Sequence, residues 1–469
     1  MPELKQDLNL YGLTMIVIGT LIGSGIFLTP SQIAGHLSSP ALILLAWGLG
    51  GLIALAGAFS FAELGSMFPR TGGVYVYLKE AYGPLVGFLF GWSSFTVVMT
   101  GIIAALAIAC SNYLSFILPL NPFQKKIAGI VIIAALTLLN IIRVRVAGMV
   151  TNAFTILKLA GIATVIVAGF ASKTSSLSES GLPTAVRDGS SHGLVVSLGL
   201  ALIGVLWSFG GWQHVSYLSG EAKNPQRNIP LAIVIGVVAV VIVYTLTNIS
   251  YMRLMSVPEM VASERIAADA LSKITPFGGT LIAAIIVISV FGTTLIYILT
   301  TPRISYAMAK DGLFFRSIAR VHPRHHTPAN AIIVQGAWAA ALLLIWGTFE
   351  AVMTYVVFIG WIFVMITVCA LILFRIKRPD APRPYKAFGY PVTPVVFIAA
   401  IFLFVINTLI HNWAIAGAGL ALQIVGLPFY FYFQRRRRTS GIPSQSEETD
   451  SQEVPAIADY PLEEEDIPA

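Results

Sequence analysis

The stretch that decides the fold is "IGTLIGSGIFLTP", residues 18–30, which lies inside the first long apolar segment of the chain. It contains Gly19, Gly23 and Gly25, with Ser24 between the last two. A glycine in the interior of a helix costs about 1 kcal/mol relative to alanine. The glycines therefore either let another helix approach closely, as a small-xxx-small surface does, or mark a point where the helix breaks.

A second interruption occurs at "LWSFGGWQHVSYLSGEAKNPQRNIP", residues 206–230, where Gly210 and Gly211 divide the sixth apolar block. The two interrupted segments are the first and the sixth, five segments apart. This spacing is expected when segments 1–5 and 6–10 are inverted structural repeats with a substrate site between the two broken helices. The position of the two breaks therefore favours a helix break over simple packing.

The composition indicates a polytopic membrane protein, because 56% of the residues are hydrophobic and only 11% are charged. Spanning a bilayer takes about 20 apolar residues per helix, and twelve apolar blocks are long enough. They cover about residues 9–35, 40–67, 84–118, 125–143, 148–171, 193–219, 229–253, 276–308, 328–346, 351–375, 391–409 and 412–434. The sequence predicts an all-α membrane protein of twelve transmembrane helices, with helices 1 and 6 broken.

The predicted domain organisation is one twelve-helix domain, residues 1–438, followed by a disordered tail, residues 439–469. Helices 1–5 fall at about 9–171, helices 6–10 at about 193–375 and helices 11–12 at about 391–434. The tail holds nine of the 22 acidic residues and no Lys or Arg. Such a polar, charged segment cannot bury enough apolar surface to fold.

The loop charges predict the orientation, because cytoplasmic loops are rich in Lys and Arg. With the N-terminus inside, 21 of the 29 basic residues face the cytoplasm and seven face outward. No cleavable signal is expected, since the first apolar run is of full membrane length. We therefore expect a multi-pass protein of the cell membrane with both termini in the cytoplasm.

The two breaks would expose backbone groups that suit a zwitterion. The N–H groups of Ser24, Gly25 and Ile26 would begin a new half-helix, whose dipole and free donors favour an anion. Carbonyl groups around Leu21 and, in the sixth segment, around Trp207 and Gly210 suit a cation. A ligand with a carboxylate and an ammonium a few ångströms apart, an α-amino acid, fits both.

From about residue 5 to 434 the chain resembles the amino acid–polyamine–organocation transporters, and among them the L-type amino acid transporter branch. The resemblance is carried by "GTLIGSGIFLTP", "FAELGSMFPRTGGVYVYLKEAYGP" at 61–84, "NAFTILKLAGI", "WSFGGWQ" with "GEAKNPQRNIP" at 220–230, and "RISYAMAKDGLFF" at 303–315. It implies a fold of five plus five inverted helices with two more at the C-terminus, and secondary active amino-acid transport by alternating access.

The resemblance also implies the substrate-binding residues, which lie at the two breaks and in the eighth helix. In the related arginine–agmatine exchanger a tryptophan at the position of Trp207 closes over the substrate, and an aromatic pocket residue occupies the position of Tyr297. Ordinary aromatic packing is the alternative for both side chains. The implied site comprises Leu21, Ile22, Gly23, Ser24, Gly25, Ile26, Trp207, Ser208, Phe209, Gly210, Gly211 and Tyr297.

Lys158 lies inside the fifth apolar block, where a charge costs about 2.5–3.5 kcal/mol or more. In the branch that the chain resembles, this lysine takes the place of a sodium ion and binds carbonyls near Gly19 and Ile22. A permanently charged Lys158 implies sodium-independent exchange. Burial disfavours the charged form, so Lys158 could instead bind and release a proton and couple uptake to it. A lysine that snorkels to the membrane boundary is the third interpretation.

Charged residues near the predicted cytoplasmic ends could form ion pairs that open and close an inner gate. The candidates are Glu63 and Arg70 at helix 2 and Glu221 and Arg227 at helix 6, with Trp207 as a gate over the substrate. Solvated loop charges are the simpler alternative. Because Glu63 is the only candidate acid within the apolar blocks, neutral substrates are favoured.

The remaining motifs limit partners and cofactors. In the branch that the chain resembles, eukaryotic members bind a heavy-chain glycoprotein through a cysteine in the external loop between helices 3 and 4. The corresponding loop here, "LPLNPFQKK" at residues 118–126, has no cysteine, so no disulfide-linked heavy chain is expected. We predict no catalytic residues, no metal site, no cofactor and no nucleic-acid partner, because no nucleotide motif, catalytic triad or cysteine cluster is present. The predicted partners are an amino-acid substrate and the lipid bilayer. A channel or an intramembrane enzyme is the alternative from another class.

Overall fold

The protein is described by a computed structural model that covers residues 4–115, 118–142, 144–172, 193–263, 265–345, 349–411 and 413–439. Within these residues the chain forms helices and their connections, and the only β interaction is one isolated bridge between Leu8 and Ala222. Of the predicted acidic tail, residues 439–469, only Thr439 is described; the rest lies outside the described residues.

Nineteen α-helices are present in the described residues. The first nine are α1 Leu10–Leu21, α2 Gly25–His36, α3 Pro40–Met67, α4 Val74–Tyr82, α5 Pro84–Ser93, α6 Met99–Leu114, α7 Pro122–Ile142, α8 Val144–Ala171 and α9 Leu194–Ser208. The others are α10 His214–Tyr217, α11 Pro225–Leu254, α12 Val257–Ala262, α13 Ile266–Ser272, α14 Gly278–Thr300, α15 Pro302–Lys310, α16 Ala329–Ile345, α17 Phe349–Lys377, α18 Val392–His411 and α19 Trp413–Thr439. A π-helical turn, Ser94–Val98, joins α5 to α6, and short 3₁₀ turns occupy Ser219–Glu221 and Arg316–Ala319.

Nine helical segments of the described chain are long and apolar enough to cross a membrane. They are Leu10–His36, Pro40–Met67, Pro84–Leu114, Pro122–Ile142, Ala147–Ala171, Pro225–Leu254, Gly278–Lys310, Phe358–Lys377 and Val392–Ile410. Helices α9 and α16 are apolar but shorter, and α19 coincides with the last predicted block. The protein is therefore an all-helical, multi-pass membrane protein.

Burial distinguishes central helices from lipid-facing ones. In the segment Leu10–His36, 89% of the most apolar window is buried inside the protein, whereas in Pro122–Ile142 the share is 22%. The exposed side chains of the latter include Val131 and Leu138. Apolar side chains on an outer face are what a lipid environment requires. The segment that carries the first glycine cluster thus lies at the centre of the molecule.

The first helix is interrupted between α1 and α2, at Ile22–Ser24. The amide of Ile22 still bonds to Ile18, four residues back, but the amide of Gly23 bonds to Leu21 at 2.8 Å instead of to Gly19. The carbonyl of Gly19 is thereby released from the helical ladder, and the carbonyl of Ile22 faces the gap before α2. Two acceptors become available at the centre of the protein.

The second interruption separates α9 from α10 at residues 209–213. Gly211 has φ of +121°, a conformation that side-chain-bearing residues rarely adopt, and a Cβ there would lie 2.6 Å from Cγ2 of Thr20. Glycine is thus required both by the backbone and by the contact with α1. The break in the sixth segment therefore packs directly on α1, at Thr20.

A single side chain of α11 holds the two breaks together. The hydroxyl of Tyr244 lies 2.6 Å from the carbonyl oxygen of Leu21 and 3.3 Å from that of Ser208, the last residues of α1 and α9. Helix α2 packs directly on α9, because a Cβ on Gly25 would lie 2.7 Å from Cα of Ser208. The ends of α1 and α9 and the start of α2 are therefore held together.

Candidate functional site

A cavity of about 880 Å³, counted with its open mouth, lies between the two helix breaks. Residues of both breaks line it together with side chains from α4, the π-helical turn, α6, α14 and α17. None of the described residues that line it is Asp, Glu, Lys or Arg. Its polar lining residues are Thr20, Ser24, Ser93, Ser94, Gln213, His214, Tyr217, Thr293 and Tyr297. The cavity is therefore mostly apolar with a few polar groups, as small-molecule sites are.

Most residues that the sequence analysis placed at the substrate site line this cavity. These are Leu21, Gly23, Ser24, Gly25, Trp207, Gly210, Gly211 and Tyr297. Trp207, the predicted gate over the substrate, is half-buried, whereas Tyr297 is buried. The structure thus brings together both breaks and the predicted aromatic residue of α14.

The other four predicted residues lie outside the cavity lining. Phe209 packs in the core, with its ring 5.2 Å from that of Tyr244 and 5.9 Å from that of Trp47. The Ser208 hydroxyl lies 2.9 Å from the hydroxyl of Thr29, so it faces α2. The side chains of Ile22 and Ile26 are fully buried among core residues. Near a helix break, one side chain can line the cavity while its neighbour in sequence packs in the core. The position in the sequence alone does not indicate which of the two a residue does.

The start of α2 presents hydrogen-bond donors to the cavity. Ser24 is the N-cap residue of α2, and the first amides of a helix have no partner within the helix. The Ser24 hydroxyl oxygen is buried and has no hydrogen-bond partner among the described residues. Free donors together with the positive end of the helix dipole favour an anion at this end of the cavity.

The carbonyl groups predicted to bind an ammonium are partly engaged within the protein. The oxygen of Leu21 accepts both the amide of Gly23 at 2.8 Å and the hydroxyl of Tyr244, which uses its two lone pairs. The oxygen of Trp207 accepts the amide of Gly210 at 3.2 Å and also the amide of Phe209. Leu21 and Trp207 stay predicted ligands of the ammonium, and both carbonyls already accept hydrogen bonds within the protein.

Lys158 of α8 reaches into the first break from behind the cavity. Its ammonium lies 2.7 Å from the oxygen of Gly19, 2.7 Å from that of Ile22 and 2.9 Å from the hydroxyl of Thr293, and the side chain is fully buried. The contacts with the carbonyls of Gly19 and Ile22 are those that the family resemblance implied. Since Lys158 forms three hydrogen bonds inside the protein, it does not snorkel to the membrane boundary.

Sequence reasoning missed the contribution of α14 to this centre. The Thr293 hydroxyl lies 3.1 Å from the oxygen of Gly19 and 3.2 Å from that of Ile22, and the Ser289 hydroxyl is 3.4 Å from the same Ile22 oxygen. Ser289 and Thr293 are four residues apart, so they share one face of a helix. Two hydroxyl side chains at this spacing in an apolar segment were the signal that could have identified them.

The ion pairs at the helix ends predicted to be cytoplasmic differ from those considered in the sequence analysis. Glu63 pairs with Arg375 at 2.6 Å and Arg383 at 3.2 Å, whereas Arg70 pairs with Glu80 at 3.3 Å. Because Arg375 and Arg383 lie more than 300 positions further along the chain, only the tertiary fold could reveal this partnership.

Glu221 likewise pairs with a residue of another segment. Its carboxylate lies 2.8 Å from Nε of Arg303, and both side chains are fully buried, although Arg227 was the candidate nearby in sequence. Solvated loop charges, the simpler interpretation, therefore do not describe Glu63 or Glu221.

Known proteins similar to this chain cover almost all of it. Residues 8–429 match the family described as "Amino acid permease". The serine/threonine exchanger SteT of Bacillus subtilis (strain 168) is 32% identical over 438 residues, which cover 92% of this chain and 98% of that protein. The b(0,+)-type amino acid transporter 1 of Homo sapiens is 31% identical over 441 residues, 92% of this chain and 88% of that protein.

The Asc-type amino acid transporter 1 of Mus musculus is 30% identical over 435 residues, 91% of this chain and 81% of that protein. The family match extends from before α1 into α19, so it includes both helix breaks, the cavity between them and Lys158.

Proposed function

The chain belongs to the amino acid permease family, and we propose that it exchanges neutral L-amino acids across the cell membrane without sodium. The family and the similar proteins are transporters, so the chain is a permease and not an enzyme. The relatives named as exchangers and amino acid transporters support exchange. The observation that carries the proposal is an uncharged cavity between two helix breaks.

The cavity suits the carboxylate and the ammonium group of an amino acid, but it offers no partner for a charged side chain. The substrate carboxylate binds at the start of α2, at the amides of Ser24, Gly25 and Ile26, where donors and dipole favour an anion. The ammonium binds the carbonyls near Trp207 and Gly210 at the end of α9. A charged side chain would find no counter-charge among the described lining residues, and burying an unpaired charge is costly. The expected substrates are therefore amino acids with neutral side chains.

Lys158 supports sodium independence. Its ammonium already occupies the position among the oxygens of Gly19, Ile22 and Thr293, a set of carbonyl and hydroxyl ligands that would suit a hard cation. A fixed positive charge there leaves no room for a sodium ion. Proton coupling through Lys158 is the alternative, because all three partners of the buried ammonium are neutral.

We further propose that the fold consists of two inverted units of five helices and two additional helices. The first unit is α1 to α8 and the second α9 to α17, each beginning with a broken helix, followed by α18 and α19. Residues 1–438 form the transporter domain. Both termini lie in the cytoplasm, because the loops on that side then carry most of the Lys and Arg residues. The nine long apolar segments, together with α9, α16 and α19, supply twelve crossings.

Topology can be tested with single cysteines in a variant that lacks Cys110 and Cys369. A cysteine at Lys126, on the predicted outer side, should react in intact cells with a membrane-impermeant maleimide. A cysteine at Lys377, on the predicted inner side and equally exposed, should react only after permeabilisation. The reverse pattern would invert the orientation.

Transport is tested with purified protein in liposomes. Uptake of labelled L-alanine should require unlabelled amino acid inside the vesicles and should be equal in sodium and choline buffers. Uptake into empty vesicles that follows an inward proton gradient would establish proton symport instead. A requirement for sodium would show that Lys158 does not replace the ion.

A further inference from the structure

His214 is a buried cavity residue to which the proposed transport cycle assigns no role. It begins α10 directly after the second break, lines the cavity and is 1% exposed. Its Nδ1 lies 2.8 Å from the hydroxyl of Thr300, whereas Nε2 has no hydrogen-bond partner among the described residues. The ring packs 4.3 Å from that of Tyr297, which also lines the cavity. The imidazole of His214 is thus part of the cavity wall, and one of its two nitrogens is unpaired among the described residues.

The contact with Thr300 determines which nitrogen carries the proton. The Thr300 hydroxyl lies 2.9 Å from the carbonyl oxygen of Ile296, which can only accept, so the hydroxyl proton is used there. The Thr300 oxygen must then accept from Nδ1–H of His214. A charged imidazolium is disfavoured, since it is buried and no described lining residue carries a negative charge. Nε2 of the neutral ring is consequently a free acceptor.

A matching polar group belongs to Tyr217, three residues further along α10. Its hydroxyl is buried and has no described partner, the side chain lines the cavity, and its ring centroid is 5.2 Å from that of His214. A phenol hydroxyl can donate. Two neighbouring rings of the cavity wall thus carry one unpaired acceptor, Nε2 of His214, and one unpaired donor, the hydroxyl of Tyr217. A ligand hydroxyl, which both donates and accepts, satisfies them together.

We propose that His214 makes the permease select amino acids whose side chain carries a hydroxyl group, which donates to Nε2 and accepts from Tyr217. The inference rests on the proposed function, in which the helix breaks bind the carboxylate and ammonium, so that the side chain is the part of the substrate left to reach α10. Buried polar groups left unpaired by an apolar substrate cost free energy, and this cost creates the selectivity. Thr300 is a positioning residue, because it fixes the proton of the imidazole.

The first experiment uses the wild-type protein in liposomes loaded with L-alanine and compares three external substrates, of which threonine and valine are nearly isosteric. L-Threonine should be exchanged about ten-fold more efficiently than L-valine, which replaces the hydroxyl by a methyl group. O-Methyl-L-threonine keeps the oxygen as an acceptor but cannot donate, so it should be no better than valine. Equal exchange of threonine and valine would overturn the inference. If neither these three substrates nor alanine were exchanged, the proposed function itself would be overturned.

The variants test the residue assignment through the ratio of threonine to valine exchange. His214→Phe keeps an aromatic ring against Tyr297 but removes the acceptor, so the ratio should fall to about one. His36→Phe, the same change at an exposed position at the end of α2, should leave it unchanged. An unchanged ratio in His214→Phe, or an equal loss of both substrates, would overturn the assignment.

Thr300→Val distinguishes a specific proton position from a merely structural role. Without the Thr300 oxygen the imidazole proton can move to Nε2, which then donates. The variant should therefore exchange O-methyl-L-threonine better relative to threonine than the wild-type protein does. A general decrease without this change in preference would overturn the role of Thr300. The wild-type comparison of threonine with its methyl ether remains decisive even if either variant fails to fold.

Discussion

The ammonium nitrogen of Lys158 lies 2.7 Å from the carbonyl oxygen of Ile22, the C-cap residue of α1. This contact exists because the first helix is broken: in a continuous helix the Ile22 carbonyl would accept an amide four residues further on. The oxygen of Gly19 is released in the same way and binds the same ammonium. The glycine-rich break and the buried lysine are therefore one structural unit that joins α1, α8 and α14.

Replacing Lys158 with methionine should abolish exchange. The substitution keeps the length of the side chain but removes its hydrogen bonds with Gly19 and Ile22, and each bond to a charged group contributes about 1.5–3 kcal/mol. The initial rate of L-alanine exchange per reconstituted protein measures the effect. Lys126→Met, the same change on an exposed position of α7, serves as the control and should retain wild-type exchange. Normal exchange by Lys158→Met would show that the ammonium has no part in transport.

The sequence was most informative where a property is local. A glycine affects the helix in which it lies, so the positions of both breaks followed from Gly23, Gly25, Gly210 and Gly211. The cost of a charge in an apolar segment is local too, which is why Lys158 could be singled out. Motifs shared with a known family extended these inferences to the residues that line the cavity.

What could not be predicted depends on contacts between distant parts of the chain. Thr293 is 135 positions from Lys158, and Arg375 is 312 positions from Glu63. Composition and spacing within one helix carry no information about such partners. The orientation of Phe209 toward Trp47 and away from the cavity also depends on how the break bends, which the sequence "SFGG" does not determine.

Adding one methyl group at Gly25 should separate α2 from α9. The new Cβ would lie 2.7 Å from Cα and 2.9 Å from Cβ of Ser208, atoms that cannot move without shifting α9. Overpacking of this kind costs about 1–3 kcal/mol. We expect Gly25→Ala to lower both the free energy of unfolding in detergent and the exchange rate.

The matched control for Gly25→Ala is Gly35→Ala in the same helix. Apart from the neighbouring residues and the backbone of α2 itself, no atom of the described residues lies within 4 Å of a Cβ built at Gly35. This variant should therefore be as stable as wild type or gain up to about 1 kcal/mol from helix propensity. If both variants behave alike, the close contact between α2 and α9 is not a constraint on the fold.

Glu221 and Arg303 should be strongly coupled, because both side chains are fully excluded from solvent. Arg303 also donates to the carbonyl of Leu299. Breaking a buried pair from one side costs about 3–5 kcal/mol, since the other charge remains without a partner, whereas replacing both residues costs less than the sum. Glu221→Gln, Arg303→Met and the double variant should show this pattern in unfolding experiments.

An exposed ion pair provides the reference for Glu221 and Arg303. Lys273 and Glu259 lie 2.7 Å apart, and each side chain is more than 40% exposed. Pairs of this type contribute about 0–1 kcal/mol. The same double-variant analysis with Glu259→Gln and Lys273→Met should thus yield little coupling. If the coupling free energy of the exposed pair were as large as that of the buried pair, burial would not explain the strong coupling of Glu221 and Arg303.

Glu63 should hold the segment between α17 and α18 against the end of α3. Its carboxylate accepts two hydrogen bonds from Arg375, at 2.6 and 2.7 Å, and one from the amide of Ala387 at 2.7 Å. Glu63→Gln removes the negative charge to which Arg375 and the amide of Ala387 bind, and it should destabilise the protein by about 3 kcal/mol.

Arg70→Gln is the discriminating control, because its partially exposed pair with Glu80 should contribute no more than about 1 kcal/mol. Unfolding in detergent gives both values, and faster labelling of Lys386 by an amine reagent in Glu63→Gln would report release of the segment. A larger loss of stability in Arg70→Gln than in Glu63→Gln would instead show that the pair of Arg70 with Glu80 is the more important one.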